Sequence, residues 1–283
     1  MRAFLAVVLA ALTASLYALS TSLQALEARR THGSTALRAS LIAGLVRRPL
    51  WVAGTAAGLL AWPLQAVALS IGSVGLVQPA LGLGLVVLLA LGVFLLHEPI
   101  GARETGGVLT IAAAVAILGH AAPAQTGSFT GGGTWAVGAA FVLIAPAPYL
   151  LRVLRRAGGL PTSVAAGLGW TWVALGTALF DVAVADRRWA AVVGWGLAVG
   201  VSSWSTLLAE MTSLQTWPAT RAIPIAFGLE MALPPAVEPL LTHARSPHPT
   251  AFGIGLALAV AGAVLLGTSR AVARAAAEPL TEP

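Results

Sequence analysis

Residues 49–97 read PLWVAGTAAGLLAWPLQAVALSIGSVGLVQPALGLGLVVLLALGVFLLH, forty-nine positions between Arg48 and Glu98 without a formal charge. The hydrocarbon core of a bilayer takes about 20 apolar residues per helix. The stretch therefore holds two spans, divided near its middle by the small polar break Ile71-Gly72-Ser73. A second such region runs from Gly106 to Arg152. The fold class that follows is an all-α integral membrane protein with several crossings.

Composition agrees. The 283-residue chain is 58% hydrophobic and 9% charged, with a mean hydropathy of +0.87. Soluble domains carry roughly 25% charged residues. All sixteen basic residues are arginine, set in short loops between spans. That placement follows the positive-inside rule and argues against nucleic acid as a partner, despite the net charge of +6. The chain has no cysteine, which excludes disulfides, thiol chemistry and Cys metal sites.

Nine segments read as full-length helices: 3–26, 49–71, 74–96, 105–121, 134–151, 160–182, 189–209, 217–240 and 250–269. The runs are continuous, unlike the alternating strands of a β-barrel. Segment 3–26 is longer than the apolar part of a signal peptide and many spans follow it, so it reads as a true span. Trp51, Trp135, Trp189 and Trp217 sit at span ends, where indole favours the headgroup zone. Trp170, Trp172, Trp195 and Trp204 lie deeper, packed between helices or lining a cavity.

Residues 31–48 are the ambiguous piece. Leu37, Leu41, Ile42 and Leu45 recur at helical spacing, which fits an amphipathic helix on the membrane surface or a short helix inside the bundle. If the segment stays on the cytoplasmic side, eleven arginines face the cytoplasm, four face out and Arg221 lies within a span. If it crosses, the split falls to nine against five. The nine-span topology is favoured, with the N-terminus outside and the C-terminus cytoplasmic.

Three landmarks recur at nearly constant offset, in order: Trp51 with Gly58 and Trp189 with Gly196, Pro79 and Pro218, Glu98-Pro99 and Glu238-Pro239. They suggest duplication, with halves 1–122 and 134–269 joined by an external linker 123–133 and followed by a cytoplasmic tail 270–283. Over 64–118, the elements Ala68-Leu69, Ile71-Gly72-Ser73, Val77-Gln78-Pro79, Glu98-Pro99 and Gly106-Gly107 resemble the drug/metabolite transporter superfamily, EamA-like group. The weak segment 31–48 is similar to the nine-span magnesium-transporter branch, which lacks a clear second helix. The resemblance implies two inverted repeats of nine or ten helices in all, around a central cavity, and no particular substrate.

Ionisable groups inside a span are costly and point to function. Here they are Asp181, Glu210, Arg221 and Glu230. Asp181, beside Asp186, Arg187 and Arg188, reads as a solvated end charge. Arg221 and Glu230 are nine residues apart, on opposite sides of an ideal helix. One of the two is expected to face the cavity, Glu210 is a candidate partner for Arg221, and Pro224, Pro234 and Pro235 are expected to kink or open the helix. The neutral candidates are Gln65 and Gln78. With Trp204 as an aromatic wall, the substrate-binding set is Gln65, Gln78, Trp204, Glu210, Arg221 and Glu230. Glu98 reads as a structural loop acid, and Gln24 and Gln215 as structural amides. Gly54 with Gly58, and Gly196 with Gly200, read as packing contacts. His120, His243 and His248 show no metal spacing, and no cofactor is called for. There is no P-loop, nucleophile elbow or HExxH, so ATP hydrolysis, hydrolase and protease chemistry have no support, and the chain reads as a non-enzyme.

The function that fits is a secondary transporter of a small metabolite or cation in the plasma (inner) membrane, working by alternating access. Glu230 is its candidate for proton coupling or cation binding. A divalent-cation (Mg²⁺) transporter and a non-transporting membrane scaffold are the alternatives, and a homodimer is compatible.

Overall fold

A computed structural model describes residues 2–31, 35–71, 74–98, 100–121, 129–156, 158–242 and 247–267. The tail 270–283, linker residues 122–128 and the Gly72-Ser73 turn lie outside the described residues, as do the side chains of Gln78 and Glu238. Every regular element among the described residues is a helix. They are α1 (Arg2–Arg29), α2 (Ala39–Leu45), α3 (Pro49–Ile71), α4 (Val74–Phe94), α5 (Ala102–Ala121), α6 (Gly131–Ile144), α7 (Ala147–Val153), α8 (Gly159–Ala185), α9 (Trp189–Thr216), α10 (Ala219–Thr242) and α11 (Pro249–Gly267).

Among the described residues, six segments are long and apolar enough to cross a membrane: Phe4–Arg29, Pro49–Ala68, Gly131–Val153, Gly159–Ala185, Trp189–Thr216 and Pro249–Leu266. The third joins α6 and α7 across a break at Ala145-Pro146, where the proline ring displaces the backbone of the preceding turn. Large apolar side chains such as Trp135, Phe94 and Leu240 remain exposed on the outside of the bundle. Lipid accounts for that exposure, since a soluble protein rarely shows apolar patches so extensive.

Small residues set the helix spacing. On α1, Ala6, Ala10, Ala14 and Ala18 recur every fourth position and are buried, with Ala25 and Ala28 beyond them. The facing Gly54 of α3 is so close that a Cβ there would lie 2.8 Å from the Ser20 carbonyl oxygen. Gly167 and Gly169 on α8 likewise admit α10 and α9. The expected glycine pair at Gly54 and Gly58 thus packs tightly, whereas Gly200 meets nothing within 4 Å.

The doubtful segment resolves into α2, seven residues long. At about 1.5 Å per residue it cannot bridge a core about 30 Å thick. Leu37, Leu41, Ile42 and Leu45 are all buried, so their periodicity marked a real apolar face, although Leu37 sits in a left-handed turn before the helix.

Cross-contacts show which helix ends lie together. Glu27 near the end of α1 pairs with Arg48 before α3 at 2.9 Å. Glu98 after α4 meets the start of α10, and Glu104 in the first turn of α5 pairs with Arg221 of α10. Gln215 of α9 donates to Thr31, and Trp217 covers Gly159 at the start of α8. These ends form one face of the bundle. It carries Arg29, Arg30, Arg38, Arg47, Arg48, Arg103, Arg152, Arg155 and Arg156. Described arginines at the opposite face are Arg2, Arg187 and Arg188.

Two expectations change. Pro224, Pro234 and Pro235 do not interrupt α10, which is helical from Ala219 to Thr242. Trp51 and Trp217 are not headgroup anchors: Trp51 is buried and donates to the Met211 sulfur at 3.2 Å, and Trp217 fills the space beside Gly159. Trp135 and Trp189 are exposed at helix ends, as their sequence positions suggest.

Candidate functional site

Three polar side chains lie at one depth. Tyr17 is twelve residues from the end of α1, Trp170 eleven from the start of α8, and Glu230 eleven from the start of α10. At about 1.5 Å per residue each lies roughly 17 Å from the arginine-rich face, near the middle of a membrane core.

Tyr17 donates its hydroxyl to the Gln65 amide oxygen at 3.0 Å, joining α1 to α3. The Trp170 indole N–H donates to Glu210 Oε2 at 2.8 Å, joining α8 to α9. At the next position, Thr171 donates to the Leu229 carbonyl at 3.3 Å, which fixes α8 against α10 beside Glu230. Glu230 is within electrostatic reach of both Glu210 and Tyr17. Five helices thus bring Tyr17, Gln65, Trp170, Glu210 and Glu230 into one neighbourhood.

Among the described residues, no donor hydrogen-bonds to Glu230 and no base pairs with it. Its side chain is only partly covered. Pro234 lacks an N–H, so the Glu230 carbonyl also has no intrahelical partner four residues on. The position therefore presents a carboxylate and a carbonyl oxygen at mid-depth, an arrangement suited to a cation or a hydrogen-bond donor.

The remaining candidates lie elsewhere. Arg221 is 2% exposed and pairs with Glu104 of α5 at 2.6 Å, not with Glu210. Trp204 is 41% exposed, in line with Trp189, Val193, Leu197 and Val201 on the uncovered side of α9. Gln78 has no described side chain, so its position relative to the site is outside what the structure describes. Gln24 bonds Thr55 at 3.2 Å and Gln215 bonds Thr31 at 2.8 Å, both as ties between neighbouring segments. Asp181 is exposed.

No protein-family model, no curated protein and no solved structure matches this chain. The site must therefore be judged on its own chemistry. Among the described residues no three His, Asp or Glu side chains converge as a metal site. His120 and His248 stack at 5.2 Å between ring centroids at the opposite face, a pairing their 128-residue separation hid.

Tyr17 and Trp170 are the members that sequence reasoning missed. A signal existed for Tyr17: it is one of two tyrosines in the chain and sits mid-span. Trp170 was indistinguishable from Trp172, whose indole instead bonds the Val137 carbonyl at 2.7 Å as part of an aromatic core with Phe141 and Trp195.

Proposed function

We propose that this chain is a secondary transporter of the drug/metabolite transporter type, moving a small cationic solute by alternating access. The observation that carries the reading is the carboxylate of Glu230 at mid-depth, unpaired among the described residues and within electrostatic reach of Tyr17 from the first half and Glu210 from the second. An intramembrane acid without a partner is costly and is retained for ion or substrate handling. Glu210 beside it adds negative character, and the arginine nearest in sequence is occupied by Glu104. An anionic solute would meet two acids and no free base among the described residues. A cation would be matched by the carboxylates and by the faces of Tyr17 and Trp170.

The packing pattern supports an inverted repeat. Helix α1 packs mainly on α3 and α4, as α8 packs on α9 and α10; α5 packs on α4 as α11 packs on α10. Helices α5 and α11 also pack on each other. Pairing α1, α3, α4 and α5 with α8, α9, α10 and α11 gives nine crossings, with α6–α7 as the unpaired one. On this pairing 31–48 is an insertion between α1 and α3, not a lost crossing. The arginine excess supports the cytoplasm of a plasma membrane as the side this face meets.

The test is a thermal-shift screen of purified protein with quaternary amines, Mg²⁺, amino acids and nucleosides, followed by counterflow in proteoliposomes. A quaternary amine is expected to stabilise the wild type but not Glu230→Gln, and to be exchanged across the bilayer. Stabilisation that survives Glu230→Gln moves the site away from α10. Binding without exchange removes the transport reading.

A further inference from the structure

Among the described residues, the two halves meet along α5 and α11 and again at the arginine-rich face. At that face one apolar cluster mixes both halves: Leu41, Leu88 and Leu96 from the first pack with Leu208, Met211, Leu214 and Ala222 from the second. Toward the opposite face the halves stay joined where α5 packs on α10 and α11, through Ala114, Leu118, Ala232 and Ala259, while the clusters on the remaining helices separate. Ala6, Ala10, Ala14, Ala68, Val77 and Leu81 all belong to the first half, and Val137, Trp172, Leu179 and Leu241 all belong to the second. Away from the α5, α10 and α11 seam, the halves are therefore closed together at one end.

Glu98 sits at the rim of that closure. Helix α4 ends at Phe94, the chain reverses through His97 at φ 53, and the Glu98 N–H returns to the Gly92 carbonyl at 2.9 Å. This turn directs the Glu98 side chain at the first turn of α10. There Oε1 accepts from the Ala219 N–H at 2.6 Å, and Oε2 accepts from the Thr220 N–H at 3.0 Å and from the Thr220 hydroxyl. Arg29, in the last turn of α1, pairs with Oε1. The carboxylate is 2% exposed.

A helix start leaves N–H groups without intrahelical partners and attracts negative charge. Helix α10 has no acidic residue in its own first turn, and Pro218 ahead of it has no N–H to offer. Its cap is thus supplied from the other half of the molecule. Gly92 makes the approach possible, because a Cβ there would fall 2.2 Å from the Thr220 methyl.

We propose that Glu98 is the latch of the gate at the arginine-rich face. Its carboxylate holds the start of α10 and Arg29 together, closing the route between that face and Glu230. Opening the face requires Glu98 to release the α10 amides, and water must then cap them. The latch gives the transport reading above its inner gate, but its test needs no solute. A failed latch and a failed transport reading are therefore separate results.

The chain has no cysteine, so one introduced thiol is a unique reporter. Ala222 is fully buried in the shared cluster, and Ala10 is fully buried in the first-half cluster at the far end. Full-length Ala222→Cys and Ala10→Cys proteins in nanodiscs are reacted with N-ethylmaleimide, with and without Glu98→Gln. The expected result is labelling of Ala222→Cys about tenfold faster with Glu98→Gln, as the open population rises, and Ala10→Cys unchanged. Gly92→Ala leaves every charge in place, wedges α4 from α10, and is expected to act in the same direction. Unchanged labelling of Ala222→Cys in both backgrounds overturns the proposal, as does equal acceleration of Ala10→Cys, which would mean general loosening.

Discussion

The two ends of this bundle are built from different materials. The arginine-rich end is held by ion pairs on buried carboxylates and by capped backbone: Arg221 with Glu104, buried on both sides, Arg29 with Glu98, and Glu27 with Arg30 and Arg48. At the opposite end the ion pair among described residues is Arg188 with Asp186, 3.3 Å apart and 58% exposed on both side chains. Buried pairs are weak evidence of net stability, because desolvation offsets much of the attraction. They do impose geometry, since removing one partner strands the other. The first end is therefore specified by charge, and the second is joined by apolar packing along α5, α10 and α11.

Mutations should feel that difference in order of size. Arg221→Ala removes the ion-pair partner of the buried Glu104, and a loss of about 3–5 kcal/mol is expected; thermal unfolding in detergent reads it, and adding Glu104→Gln should recover part of the loss. Thr212→Val comes next. The Leu37 N–H donates to the Thr212 hydroxyl at 3.0 Å, both buried. Orphaning that amide should cost about 1–3 kcal/mol, read in the same melt and as faster proteolysis between α1 and α3. Asp186→Asn should change stability by less than about 1 kcal/mol. A large effect of Asp186→Asn, or a negligible one of Arg221→Ala, would break the contrast between the ends.

Much of the fold was legible because lipid makes hydropathy a strict code. Only helices and closed barrels satisfy backbone groups in a bilayer, and continuous apolar runs chose helices. The expected segments overlap all nine long structural units, counting α6 and α7 as one. What the sequence hid was interior geometry. Proline content suggests a broken α10, yet the helix runs without a break from Ala219 to Thr242. Trp51 looked like an interface anchor from its place at a span end, yet α9 offers it Met211. The site was half legible. Glu210, Glu230 and Gln65 stood out as polar groups in apolar runs. Arg221 stood out for the same reason, although its partner Glu104, 117 positions away, gives it a structural role. Trp204 was indistinguishable from Trp170, because a tryptophan's facing depends on helix rotation and not on depth. Glu98 reads as a loop acid in the sequence, because nothing local marks it as the cap of a helix 121 positions downstream.

Helices α5 and α11 interlock at three levels along their length. A Cβ on Gly107 would lie 2.7 Å from Leu266, one on Gly262 2.5 Å from Ile111, and one on Gly255 2.7 Å from Leu118. Each glycine is a notch filled by a branched side chain from the facing helix. Sliding one half along the membrane normal, as an elevator, would have to empty all three notches at once. Rocking one half against the other keeps them filled. The glycines that bring these two helices together therefore oppose sliding more than rocking in any movement of one half against the other.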